Sequence, residues 1–461
     1  MQKRKKSVIL ILCLMMLCAC QNSPKEPEMV EEVQSDYEVE MEHREGFVGE
    51  EAYEQSFARP QINSNIFVDL MGYAPDDRKY AYFAGNDLSE SFYVFETATN
   101  ERVYTGTLKK MTNRKHEGKQ IYKGDFSAVT EPGVYYIQTA VIGQSYTFRI
   151  DESRYESQYG ELKEEFLALS PEEYYGVPRE REERIQIYYS FQKLATAYQF
   201  FPEAFGEDFE KKLEEHAQWL VTMREELLSE RDAEQKENQW RPNYAQPQEE
   251  EKEIVSEDYI FASSMAAGYT VLQPYNAPLA GKCLSQAQKA YQNCARYKVT
   301  GDVQYMAAAS LFRAVGNYTY HAIIKDKYAQ QEPEYEKLRD EKDLLCDELL
   351  WGNLFYMTAV KGADMAICDK QMAGLMDLCA GYMDKAPTRA FGLIQGKKES
   401  LECAVWLTVA DYTIVSLEYR NVCKEQIHPL LYRMDEMDLS HGQKSTLIMI
   451  LVNLAESEEK E

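Results

Sequence analysis

Between Asn65 and Ile150 apolar and polar residues alternate in short runs; beyond Asp151 the apolar positions recur every three to four residues. The first pattern puts alternate side chains on one face of a strand, the second puts an apolar stripe along one face of a helix. The alternating runs are Ile66–Leu70, Lys79–Ala84, Phe92–Glu96, Arg102–Leu108, Gln120–Phe126, Gly133–Gln138 and Ser145–Ile150. Turn-forming segments such as Ala74-Pro75-Asp76-Asp77, Gly85-Asn86-Asp87 and Glu131-Pro132-Gly133 separate them. Short strands at this spacing predict a β-sandwich of about 90 residues over 62–151.

The helical pattern covers Tyr155–Ala168, Tyr188–Phe201, Phe209–Leu228, Tyr259–Leu272, Leu279–Tyr297 and Val303–Val315. It continues through Glu334–Leu349, Trp351–Ala359, Asp369–Met383, Glu402–Tyr419, Val422–Met434 and Gln443–Ala455. About twelve helices over 152–457, joined as hairpins, fit a ring of six αα-hairpins, with an irregular α-solenoid as the alternative. Periodicity alone does not choose between them. Arg231–Ser256 interrupts the pattern with charge and reads as a long surface loop carrying Trp240 and Tyr244.

The N-terminus has a different texture. Lys3, Arg4, Lys5 and Lys6 precede an apolar run over Val8–Leu17, which is too short to span a bilayer and has the length of a signal-peptide core. It ends in Leu17-Cys18-Ala19-Cys20, which resembles a bacterial lipobox. The expectation is a signal peptide over 1–19, lipidation at Cys20, and an outward-facing protein anchored by its acyl chains. Gln21–Gln61 carries 12 acidic and 3 basic residues and reads as a disordered acidic tether over 20–61.

Charge then narrows the function. The 77 Asp and Glu against 51 Lys and Arg give −26, which argues against a nucleic-acid partner and against adsorption to an anionic membrane by net charge. Cys283, Cys294, Cys346, Cys368, Cys379, Cys403 and Cys423 fall inside apolar helical patterns without a CxxC spacing, so most of them read as buried small side chains, with oxidation of some in an exported protein as the alternative. The six His show no metal-ligand spacing. No metal and no cofactor is expected. GxSxG, P-loop and dinucleotide-binding glycine patterns are missing from the chain.

Three stretches together resemble bacterial family 9 glycoside hydrolases, the endoglucanase family with an immunoglobulin-like N-terminal domain. Ile66–Lys79, with Gly72-Tyr73 and Pro75-Asp76-Asp77, is similar to the opening of that domain, and Glu131–Tyr136 with Ser145–Ile150 to its closing strands. Ala195–Phe205 followed by Phe209–Met223 resembles two early helices of the family's catalytic domain. Phe261–Gly268, Leu272–Ala277 and Trp351-Gly352-Asn353 resemble later elements. The resemblance implies an immunoglobulin-like β-sandwich on an (α/α)6 barrel. It also implies a plant-type β-1,4-glucan or related polysaccharide as ligand, lying across one barrel end.

The family's catalytic motifs are not in this sequence. Inverting hydrolysis needs a carboxylate that activates water and a carboxylic acid that protonates the leaving oxygen, roughly 6.5–9.5 Å apart. The resemblance places the base near Gly176–Arg179, where the chain reads Gly176-Val177-Pro178-Arg179, and no Asp-Ala-Gly-Asp occurs anywhere. It places the acid before the last helix, which here opens His441-Gly442-Gln443 without Asn-Glu. The nearest substitutes are Glu180, Glu182 and Glu183 on one side and Asp435, Glu436 and Asp438 on the other. In so acidic a chain such neighbours arise by chance. Aromatic candidates for stacking on sugar rings are Trp240, Tyr259, Trp351, Tyr356 and Trp406, with core packing the plainer reading for all but Trp240.

The expected function is therefore a surface lipoprotein that binds polysaccharide without hydrolysing it. The alternatives are a hydrolase with relocated carboxylates, or an envelope scaffold that holds a protein partner.

Overall fold

The computed structural model describes residues 62–63, 65–237, 249–295, 301–330, 348–394, 397–414, 416–432 and 438–458. The leader and tether, Cys20, Trp240, Asp435, Glu436, and all but the last two residues of the expected helix Glu334–Leu349 lie outside them.

The alternating region folds into strands β1 (Ile66–Phe67), β2 (Tyr80–Gly85), β3 (Ser91–Glu96), β4 (Arg102–His116), β5 (Lys119–Asp125), β6 (Gly133–Thr139), β7 (Gly143–Gln144) and β8 (Phe148–Ile150). They run in the order β1-β2-β5-β4-β3-β6-β7, with β8 on β6, and every ladder pair is antiparallel. β4 joins the two halves: its first part pairs with β3, and from Leu108 onward it pairs with β5. Phe92 fills the gap between the layers, so close to Gly106 and Gly124 that a Cβ there would meet its ring at 2.3 and 2.6 Å.

Three strands differ from the sequence expectation. Ile66–Leu70 shortens to Ile66–Phe67 before the turn that Asp69 holds through the Met71 amide. Ser145–Ile150 keeps only Phe148–Ile150 as a strand, while the buried Ser145 ties its amide to Ile137 O (2.7 Å) and its hydroxyl to the Ile137 amide (2.9 Å). β4 runs eight residues past Leu108, through a cationic stretch whose backbone pairs with β5 although its side chains do not alternate.

The helical region supplies α1 (Arg154–Ala168), α2 (Arg181–Phe200), α3 (Glu207–Glu237), α4 (Glu249–Leu272), α5 (Ala277–Ala295) and α6 (Asp302–Val315). It continues with α7 (Tyr318–Gln330), α8 (Glu348–Met357), α9 (Met365–Lys385), α10 (Lys397–Ile414), α11 (Leu417–Ile427) and α12 (His441–Glu458). The even-numbered helices form an inner ring and the odd-numbered ones wrap it, giving the (α/α)6 arrangement of six hairpins. Small buried side chains let the inner helices approach closely: Ala262, Ala266, Ala307, Ala308 and Ala309 all face other helices. Trp351 of α8 meets Trp406 of α10 edge to face at 5.3 Å and closes the ring there.

Three helical expectations shift. The run Glu402–Tyr419 is broken at Ser416, whose hydroxyl accepts from the Tyr419 amide while Asp411 accepts from the Ser416 amide (2.7 Å), so a new helix starts. Helix α7 was not foreseen; its core side chains Tyr320, Ile324 and Tyr328 make only a faint stripe. The expected loop Arg231–Ser256 is shorter than its charge suggested, since α3 persists to Glu237 and α4 begins at Glu249. Its Glu, Lys, Arg, Ala and Gln residues are good helix formers without an apolar face.

The sandwich is bolted to the barrel by buried charge. Asp69 lies fully buried between Arg154 of α1 (2.9 Å) and His428 after α11 (2.6 Å). Asp77 accepts from the Tyr155 hydroxyl (2.9 Å) and sits 3.1 Å from the Lys424 ammonium. Burial would raise the Asp77 carboxyl, but Lys424 and His428 outweigh it and hold it below the usual range. Gly72, at φ +99°, brings the backbone so close to Arg149 O that a Cβ would sit 2.5 Å away. Its carbonyl accepts from Arg154 Nε (2.9 Å). The Gly72–Lys79 motif is therefore an interface device.

Candidate functional site at the barrel mouth

Contacts among the inner helices show that their N-termini share one end of the ring. Arg181, the first residue of α2, pairs with Glu253 in α4 at 2.7 Å. Arg184 grips the fully buried Glu257 through Nε and Nη2 at 2.8 and 3.2 Å. One turn further, Tyr189 donates to Glu348 at the start of α8 (2.9 Å), and Ser190 shares a hydrogen bond with His441 at the start of α12 (2.9 Å). Lys193 reaches Glu402 of α10 at 2.5 Å and Thr446 of α12 at 2.8 Å. Helix α2 thus carries a column of donors that meets an acid from α4, α8 and α10 in turn.

These carboxylates have different characters. Glu348 is pushed up by burial, only partly offset by its own amide and the Tyr189 hydroxyl, so it favours the protonated form more than an exposed Glu does. Glu402 and Glu257 are each locked to a cation. Sequence reasoning did not single out any of them. Each is one acid among many, and only the shared helix end brings them together.

The substitutes that the sequence did single out sit elsewhere. Glu180, Glu182 and Glu183 are exposed on the loop and first turn of α2. The Glu183 carboxylate accepts from the amides of Arg179 (2.7 Å) and Glu180 (3.1 Å), and these bonds hold its pKa down. Glu182 is tied to Arg181 at 2.7 Å. They cap a helix, which explains why acids cluster there. Tyr259, Trp351 and Tyr356 are fully buried and Trp406 is 4% exposed, so none offers a ring face to a sugar. Tyr356, for example, shares a hydrogen bond with His321 (2.9 Å). One aromatic at this end was missed: Trp219 of α3 is half-buried and stacks on Tyr175 at 5.7 Å and 20°, beside the loop that enters α2. Among the described residues no His, Cys, Asp and Glu group has the arrangement to hold a metal ion.

His216, under that loop, is buried among Phe166, Tyr174 and Tyr175 with neither ring nitrogen bonded. Burial, aided by Lys212, lowers its pKa to about 3. The unfolded chain then binds the extra proton first. Its contribution to stability is complete above the ordinary value of 6.5 and is lost as pH falls from there toward 3. At pH 5 this is about 2 kcal/mol. Urea melts at pH 7 and pH 5 should show that loss, and His216→Phe should remove it; an equal loss in the variant would refute the assignment.

Known proteins can now be set beside this geometry. The description of a cellulase N-terminal ig-like domain matches residues 61–144, and that of glycosyl hydrolase family 9 matches residues 184–431, more than half of the chain. The chain belongs to glycosyl hydrolase family 9. The family match begins after the loop where the base was expected and stops before α12. Endoglucanase D of Acetivibrio thermocellus is 33% identical over 99 residues, 22% of this chain but only 15% of that relative's length. A metagenome-derived family 9 endoglucanase superimposes with a TM-score of 0.59 at 16% identity, over 79% of this chain and 83% of its own. A family 9 protein of Bacteroides ovatus gives 0.58 at 15% identity, over 86% and 99%. Such identities establish the shared fold and leave the chemistry to the site itself.

Proposed function

We propose that this family 9 member binds a β-1,4-glucan-type polysaccharide across the barrel mouth and has lost the family's inverting hydrolysis. The observation that supports it is the fate of the acids around the expected base. Glu180, Glu182 and Glu183 serve the helix cap and a surface ion pair, while Glu257 and Glu402 are each clamped by a cation. A general base must be free to take a proton from water, and a clamped carboxylate is a poor one. Polymer binding asks less: a groove, hydrogen-bonding groups and an aromatic face such as Trp219.

Purified protein should release no reducing sugar from carboxymethyl-cellulose or mixed-linkage glucan, yet be retarded in gels containing mixed-linkage glucan. Trp219→Ala should weaken that retardation about tenfold, as losing a stacked ring worth about 1.4 kcal/mol would. Unretarded migration of the parent protein would reject the binding reading, and sugar release would reject the loss of hydrolysis. A Glu348 raised by burial, on the same column as the Glu402 that Lys193 holds, favours a second reading, hydrolysis by relocated carboxylates. That reading requires turnover which Glu348→Gln and Glu402→Gln each abolish.

The Leu17–Cys20 lipobox pattern supports an anchored, outward-facing protein. Labelling of the expressed chain by a palmitate analogue, lost in Cys20→Ala, tests this. Among the described residues no helix is long and apolar enough to cross a membrane.

A further inference from the structure

The β4–β5 hairpin stands out electrically. From Arg102 to Lys123 the chain holds seven Lys or Arg against one acid, Glu117: a local +6 in a protein of −26. Its place in the fold gives this charge a setting. Arg114 donates through Nε and Nη2 to Thr388 O at 3.2 and 2.8 Å, and Thr388 lies in the segment that leads from α9 into α10. Phe391 of the same segment packs on Phe67, Tyr82 and His116 with ring centres 5.1–5.6 Å apart. It also reaches Tyr432, in the connection from α11 to α12. Both connections feed inner helices at their N-terminal ends. The cationic hairpin therefore stands at the rim of the barrel mouth, and Arg389 beside Thr388 adds to it.

Some of these cations are already committed. Lys119 donates to Asn65 (3.0 Å), and Lys123 lies over the Tyr80 ring at 3.3 Å. Lys109, Lys110 and Lys115 are exposed, and among the described residues no carboxylate forms an ion pair with them. Like charges gathered on one hairpin repel one another, a cost that a bound polyanion would relieve.

We propose that the β4–β5 hairpin is a subsite for negatively charged groups on the polysaccharide that occupies the mouth, which makes the preferred ligand an acidic glycan with carboxylate substituents. This deepens the glucan-binding reading and rests on it for the position of the polymer. The overall charge works against such a ligand at long range. Recognition then depends on the local cations and is sensitive to salt.

Two polymers with one backbone test this: carboxymethyl-cellulose, which carries carboxylates, and hydroxyethyl-cellulose, which is neutral. In affinity gels the full chain should be retarded about tenfold more strongly by the carboxylated polymer at low salt, the excess vanishing between about 20 and 300 mM salt. The triple variant Lys109→Gln, Lys110→Gln, Lys115→Gln should lose that excess while its retardation by hydroxyethyl-cellulose and its melting temperature stay unchanged. Lys211→Gln, Lys282→Gln, Lys289→Gln makes the same change in net charge on the outer helices and should keep the excess. Equal retardation by the two polymers, or an excess that survives in the hairpin variant or falls equally in the control, overturns the subsite. Failure to bind hydroxyethyl-cellulose, with a hairpin-dependent excess on the carboxylated polymer intact, overturns the backbone-binding reading and leaves this subsite standing.

Discussion

Asp69→Ala is expected to destabilise the protein by about 3–5 kcal/mol, because it strips a buried cation of its partner. Asp69 is fully buried, and its carboxylate is the acceptor for Arg154, itself 4% exposed, and for His428 across the interface. It also accepts from the Met71 amide (2.8 Å), which fixes the turn leading to Gly72. Removing the carboxylate leaves the guanidinium in a site that water cannot enter. Urea denaturation should show the midpoint falling sharply. The double variant Asp69→Leu, Arg154→Met should recover much of the loss, since replacing both members of a buried pair by apolar groups is often neutral. Arg78→Ala is the contrast: its hydrogen-bonded partner Glu418 is half-exposed and its second partner Glu425 lies 3.7 Å away, so the change should cost only about 1 kcal/mol. A small effect at Asp69 would mean that the interface network is wetter than its geometry implies.

Trp351→Ala is expected to cost a similar 3–5 kcal/mol through a different cause, an unfilled cavity in the core. The indole is fully buried against Trp406 at 5.3 Å and Phe355 at 5.7 Å, where α8 and α10 meet. The melting temperature should drop by several degrees. Glucan retardation of the molecules that remain folded should not change. The reverse outcome, unaltered stability with lost retardation, would return Trp351 to the sugar-binding surface.

These two residues mark the limits of what could be read from the chain. Trp351 belongs to the resemblance motif Trp351-Gly352-Asn353, which offered it as a sugar-stacking ring although core packing was the plainer reading. Packing decides that: Gly352 lets α8 lie so close to Tyr305 that a Cβ would meet its ring at 2.4 Å, and the tight approach turns the tryptophan inward. Asp69 was visible as part of the family-like opening, yet its partners lie 85 and 359 residues away.

The alternation and the 3.6-residue period determined by themselves that a strand module precedes a helical one, and nearly all of the elements. Those patterns are local consequences of which face each segment must bury. The absence of the family's Asp and Glu motifs was equally a property of the sequence. Three things were not local. The ring closed only through packing between distant helices, at contacts such as Trp351 on Trp406. The acids Glu257, Glu348 and Glu402 became a column only because six inner helices start at one end. The Lys109–Lys123 hairpin became a rim only because Arg114 and Phe67 seat it against the α9–α10 connection. Periodicity reports which face of an element is buried; which chemistry then meets across the fold depends on contacts between residues far apart in the chain, and those the tertiary structure alone supplies.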